Sequence, residues 1–173
     1  MLDAATPSQI TISEFEFDER RVIGRALRRW DQIRENAHFP DRERCLSAFN
    51  EGMSNYVVVI AIGSGEEDDR IVQCGTEFRN ALAHDPVGSP VRTIMPSTIE
   101  RGLVFWRVAA EMKKPIADVG EFTNASGEEI LYRSVFLPVG DDSGTVTHLI
   151  GAFSYKKRHR RLNDVSSITI DNG

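Results

Sequence analysis

YVVVIAIG, residues 56 to 63, sets seven apolar residues in a row and runs straight into the acidic turn SGEEDD. A strand of that composition has no wet face, unlike the usual antiparallel strand that keeps one side in water. The next strand-like run, RIVQCGT at 70 to 76, follows after GSGEEDD. That join is too short for a parallel crossover, which takes a dozen residues or more. The two runs are therefore expected to pair antiparallel, in a sheet that something covers on both sides.

Three further strand-like segments lie downstream: PIADVGEFT (115 to 123), EILYRSVFLPV (129 to 139) and VTHLIGAFSY (146 to 155). NASGE joins the first two and GDDSG the next two, both with the Gly, Asn, Asp and Ser content of hairpin turns. The middle segment is again apolar on both faces, with Ile130, Tyr132 and Phe136 on one and Leu131, Val135 and Leu137 on the other.

Two sets of helices can supply the covers. Between the second and third strands, EFRNALAHD is a short helix that ends before Pro86, VGSPVRTIM is loop-like, and residues 96 to 114 read as the main helix. Its proline falls in the tolerated first turn and its two lysines close the end. Ahead of the sheet, Val22, Ile23, Ala26, Leu27, Trp30 and Ile33 recur at three and four residues, the spacing of one helical face. Asp18 is expected to cap this helix, which runs over 19 to 36, and its other face carries Arg20, Arg21, Arg25, Arg28 and Arg29. Phe39-Pro40 breaks it, because the residue before proline is pushed out of the α region. DRERCLSAF forms a short second helix and Gly52 stops it. Residues 1 to 18 read as an arm.

The chain has 173 residues, 40% hydrophobic and 27% charged, the composition of one globular domain. No internal repeat or second-domain linker is visible. Net charge is −5, which argues against a surface that binds nucleic acid all over. Basic residues nevertheless gather in the leading helix and in KKRHRR at 156 to 161, in a tail (156 to 173) expected to be flexible. No apolar run approaches the ~20 residues that span a bilayer, and MLDAATPSQI lacks the charged-then-apolar order of a signal sequence. A cytoplasmic chain is expected.

Strand, strand, helical insert and three-stranded meander, with an amphipathic helix in front, is an order that resembles the PAS domain. GTEF (75 to 78), at the close of the second strand, is similar to the start of the PAS insert. RALRRWDQIRENAHFPDRE, CGTEFRNALAHDPVG and FLPVGDDSGTVTHLIGAF resemble more narrowly a bacterial single-domain PAS-like family, in which a helix and a Phe-Pro or Leu-Pro break precede the sheet. The likeness covers residues 20 to 155 and rests on packing and turn signatures, none of them catalytic. It implies an α+β fold with a five-stranded antiparallel sheet, and a regulatory module that senses a small ligand or docks a partner. Fold alone does not decide which.

Residues that could carry chemistry are few. GSGEEDD lacks the third glycine and following helix of a dinucleotide fingerprint. His38, His84, His148 and His159 form no HxxxH or HExxH pair, so no metal site is indicated. Cys45 and Cys74 match no zinc or redox spacing. Cys74 and His148 lie on different strands, with no orienting third group to make them nucleophile and base. PAS domains that hold haem use an insert histidine, for which His84 beside Asp85-Pro86 is the candidate. Flavin photoreceptors use an insert cysteine, which is lacking here. Both cofactors are disfavoured and a non-enzymatic protein is expected.

A cavity between sheet and insert would be lined by Phe78, Leu82, Ile94, Leu103, Trp106, Phe122, Tyr132, Phe136 and His148, unless these residues simply fill the core. It would take a small apolar or acidic metabolite. Ile23, Leu27 and Trp30 are the residues expected to dock the leading helix on the sheet, in one chain or across a homodimer that also meets a signalling partner. Lys156, Lys157, Arg158, Arg160 and Arg161 make the basic patch of the other reading, a nucleic-acid or anionic-surface binder.

Overall fold

A computed structural model describes residues 14–94 and 105–158. The first helix, α1 (Glu14–Arg34), starts earlier than the sequence suggests, so Asp18 lies inside it and does not cap it. Glu14, Glu16, Asp18 and Glu19 thus fall in its first turns. Glu35, at φ 51°, turns the chain out of the helix. Asp41 then caps α2 (Arg42–Asn50), accepting from Arg44 N at 3.1 Å.

β1 (Val57–Ala61) and β2 (Arg70–Cys74) form the first hairpin. Gly75 follows because a Cβ there would stand 2.4 Å from the Ser54 carbonyl oxygen. The insert holds α3 (Thr76–Leu82), the single turn α4 (Val91–Ile94) and α5 (Phe105–Met112). Of the long helix expected over 96 to 114, the first nine residues, Leu103 among them, lie outside the described residues. α5 ends at Met112 because Lys113 adopts φ 56°. β3 (Ile116–Thr123), β4 (Glu129–Gly140) and β5 (Val146–Lys157) complete an antiparallel sheet in the order β2-β1-β5-β4-β3. β5 runs two residues past its expected end, so Lys156 and Lys157 belong to the sheet and the basic tail cannot begin at 156.

The strand that opened the reading is dry on both faces because two separate cores meet it. Val58 and Ile60 face the insert with Ile71, Phe78, Leu82 and Trp106. Val57 and Val59 face α1 and α2, in a core with Val22, Ala26, Trp30, Cys45 and Phe49. β4 and β5 alternate likewise, sending Phe136 and Phe153 to the first core and Val135 and Ile150 to the second. Full burial of each such side chain contributes about 1.5–3 kcal/mol.

Two polar anchors lock the covers in place. Trp30 Nε1 donates to the Pro138 carbonyl at 2.8 Å. Pro138 is tolerated inside β4 because pairing with β3 ends at Phe136, so no strand on that side needs its missing N–H. On the other face Asp69, fully buried, accepts from Gly63 N at 2.8 Å, Trp106 Nε1 at 2.9 Å and Arg107 Nη1 at 2.8 Å. It ties the β1–β2 turn to α5. Among the described residues no helix is long and apolar enough to cross a membrane.

Candidate ligand cavity

The register of β3 on β4 builds the polar part of this site. Asp118 stands directly opposite Ser134, and Gly120 opposite Tyr132. A Cβ on Gly120 would lie 2.8 Å from the Tyr132 hydroxyl. The bare backbone there lets the tyrosine ring lie across β3, and its hydroxyl donates to Asp118 Oδ2 at 2.7 Å. Asp118 is 7% and Ser134 5% exposed, both on the insert-facing side of the sheet.

Around this group the wall is apolar. Phe78, Leu82 and Ile94 come from the insert; Phe122, Tyr132 and Phe136 come from the strands. The aromatic rings interlock: Phe78 meets Phe153 edge-on at 4.8 Å, and Tyr132 stacks on Phe153 at 5.8 Å. What they leave is a cavity of about 30 Å³, enough for a water-sized group. A drug-sized ligand usually occupies several hundred Å³, far more than the space these described side chains leave between them.

Three sequence candidates are placed elsewhere or not described. Trp106 is in the same core but away from the cavity wall, because its indole turns to the buried carboxylate of Asp69. Leu103 lies outside the described residues. His148 does not reach the cavity, since the two-residue period of β5 puts it on the α1 face with Ile150 and Ala152. There it stands 3.3 Å from Arg42 Nη1 and 3.0 Å from Thr147 Oγ1. Asp118 and Ser134 were passed over in the sequence. Their signal was a polar residue at the apolar phase of two alternating strands.

Burial, and secondarily the Arg42 charge, pushes the His148 ring below its ordinary 6.5. The folded chain therefore holds fewer protons on this ring than the unfolded chain. Its stabilising share is complete above about pH 6.5 and is lost as pH falls below that value. The urea midpoint of the wild type should drop more between pH 7 and 5.5 than that of His148→Gln; equal drops would remove this role.

Cys74 belongs to the insert-side core, across the sheet from His148, which rules out their pairing as nucleophile and base. Burial pushes its thiol up to about 11 and that of Cys45 up to about 12, so neither forms appreciable thiolate at neutral pH. His84 is exposed beyond the end of α3. Among the described residues no three His, Cys, Asp or Glu side chains are grouped to hold a metal ion.

On the opposite face Trp30 is 5% exposed, and Ile23 and Leu27 pack half-buried against the same core. This contact forms within one chain. In the basic patch, Lys157 pairs with Glu128 at 2.7 Å and Arg158 with Glu121 at 3.2 Å. Lys156 is half-buried on β5, while Arg160 and Arg161 lie outside the described residues.

No family model matches the chain, and no curated protein matches it. Solved structures do. An RNA-binding light-oxygen-voltage receptor matches at 18% identity and TM-score 0.50, over 65% of this chain and 32% of that one. This chain thus spans about a third of the receptor's length. A light-oxygen-voltage domain studied with a flavin analogue matches at 15% identity and TM-score 0.51, over 68% and 86% of the two chains. The PAS domain of Bordetella pertussis BvgS matches at 18% identity and TM-score 0.47, over 72% and 92%. Such identities speak to fold alone. With its five antiparallel strands, the insert between the second and third, and an amphipathic helix on the far face, this chain has the PAS-like fold.

Proposed function

We propose that this chain is a non-enzymatic PAS-type signalling module that takes a small molecule between sheet and insert and passes its presence, through α1, to a regulatory partner protein. The observation that carries this reading is the shared wall. Ser134 and Phe136 border the cavity, while their neighbours Val135 and Leu137 carry α1. A ligand that adjusts β4 on one face therefore changes the seat of α1 on the other, and shifts the balance between two packings of that helix.

The first test is the native mass of the purified protein, with analysis of any compound it releases on denaturation. A stoichiometric compound supports the sensory reading. Protein that releases nothing, and in which α1 is insensitive to added compounds, is a docking adaptor. A second test addresses α1 itself. Leu27→Asp should destabilise the chain by about 2 kcal/mol and abolish partner binding or dimerisation; unchanged mass, melting and binding would count against α1 as the output surface.

A second reading is favoured by the exposure of Arg21, Arg25 and Arg28 along one line of α1. That stripe suits nucleic acid or another anionic surface, although Lys157 and Arg158 are already matched by acids. Phosphate contacts weaken steeply as salt rises, whereas docking of an apolar face does not. Binding measured at two salt concentrations separates the readings.

A further inference from the structure

We propose that the cavity selects a very small uncharged molecule that carries one hydroxyl group, a short alcohol in the simplest case. This deepens the sensory reading and rests on it. The space exists because one position lacks a side chain. Gly151 lies opposite Val58 on β1 and opposite Phe136 on β4, and residues directly opposite on paired strands share a face. A Cβ at this position would stand 3.7 Å from Val58 Cβ and 3.7 Å from Phe136 Cδ1. All three residues border the cavity.

Ser134 supplies the polar contact. It is 5% exposed and borders the same space. Its Oγ has no hydrogen-bond partner among the described residues, and native proteins seldom leave such a buried group unmatched. Tyr132 and Asp118 bond to each other close by, and nothing is asked of either. Ser154 Oγ is unmatched too, but alternation along β5 sends it to the α1 side with Ala152, away from the cavity wall.

The serine selects the head group. A hydroxyl carries one donor and two acceptor sites, so an alcohol meets Ser134 in either direction. An ionised head would give up far more hydration on entry than one hydroxyl returns. The sequence expectation of a small apolar or acidic metabolite is thereby narrowed to its uncharged half. Size narrows it further. One water needs roughly 10–15 Å³, so a space of about 30 Å³ admits about two or three heavy atoms. Phe78, Leu82, Ile94 and Phe122 make the rest of the wall apolar, which suits a short hydrocarbon body. A ligand of so few atoms binds in the millimolar range at best.

The test titrates ethanol, ethane, acetate and ethylammonium into the full chain at neutral pH, with the backbone amide shifts of Ser134, Phe136 and Gly151 as the readout. Ethanol and ethane should give saturable shifts there, and the two ions none. Ser134→Ala should weaken ethanol about threefold to tenfold and leave ethane unchanged, because only ethanol uses the serine. Gly151→Ala should abolish both, since its methyl takes up the space. The backbone at Gly151 is not left-handed, so the methyl adds no strain there. Ser134→Ala binding ethanol like the wild type, or either ion binding as tightly as ethanol, would overturn the hydroxyl assignment and leave the sensory reading standing. Wild-type protein that shows no shift with ethanol or ethane would overturn the site and the ligand half of the sensory reading together. Ethanol that binds as described without any change at α1 would keep the site and overturn the route to the partner.

Discussion

Asp69→Ala should lower the stability of this protein by about 3–5 kcal/mol, a fall in Tm of roughly 10 °C for a chain of this length. The carboxylate is fully buried and meets three donors from two separate elements. Its loss strands the Trp106 indole and takes from the largely buried Arg107 guanidinium its closest carboxylate, leaving the longer contacts to Glu111 at 3.7 Å and the Gly63 carbonyl at 3.4 Å. A buried charge that loses its main partner is what makes a broken pair so much more costly than an absent one. Arg107→Met added to Asp69→Ala should therefore recover a good part of the loss. The measurement is urea unfolding of the three variants. A penalty under about 1 kcal/mol for the single substitution would show that the β1–β2 turn holds α5 by other means.

Trp30→Ala should be comparably severe, at about 3–5 kcal/mol, since removal of a buried aromatic residue leaves a cavity that the surroundings fill only in part. Trp30 is the largest side chain of the α1-side core and carries a hydrogen bond to the Pro138 carbonyl as well. Trp30→Phe separates the two contributions. It keeps most of the apolar contact and loses the donor, so it should cost about 1–3 kcal/mol for the stranded carbonyl. Chemical denaturation gives both values, and the amide shifts of β4 report whether α1 stays seated. If Trp30→Ala melts like the wild type, α1 does not stabilise the sheet and the proposed route from cavity to helix fails with it.

The fold was legible where burial leaves a periodic mark. Seven apolar residues from Tyr56 to Ile62 announced a sheet covered twice, and the three-and-four spacing of Val22, Ala26 and Trp30 announced one of the covers. Short glycine-rich joins forced antiparallel pairing. Errors came at the ends of elements, where local preference is weak. Asp18 read as a cap and lies within α1, and the positively charged Lys156 and Lys157 read as tail but continue β5, opposite Leu131 and Ile130.

The candidate site was less legible, because a face assignment depends on register. His148 looked like a polar-tipped wall residue, yet pairing with Ala61 and Val139 turns it to α1. Asp69 looked like one more acid in a solvated turn. Nothing in EEDD separates it from its neighbours, and only the arrival of Trp106 and Arg107 from a distant helix makes it a buried acceptor.

By itself, then, the sequence determined the five strands and the leading helices, that the sheet pairs antiparallel, and that its central strands are dry on both faces, while it read as loop the segment that holds α4. Alternation and helical spacing are properties of a few consecutive residues, and they survive without knowledge of the partner. Tertiary structure decided that Asp118 faces Ser134, that Tyr132 crosses Gly120 to reach the carboxyl group, and that only about 30 Å³ is left beside them. Those facts depend on the alignment of one strand against another and on how aromatic rings divide the remaining space, and neither is written in any single segment.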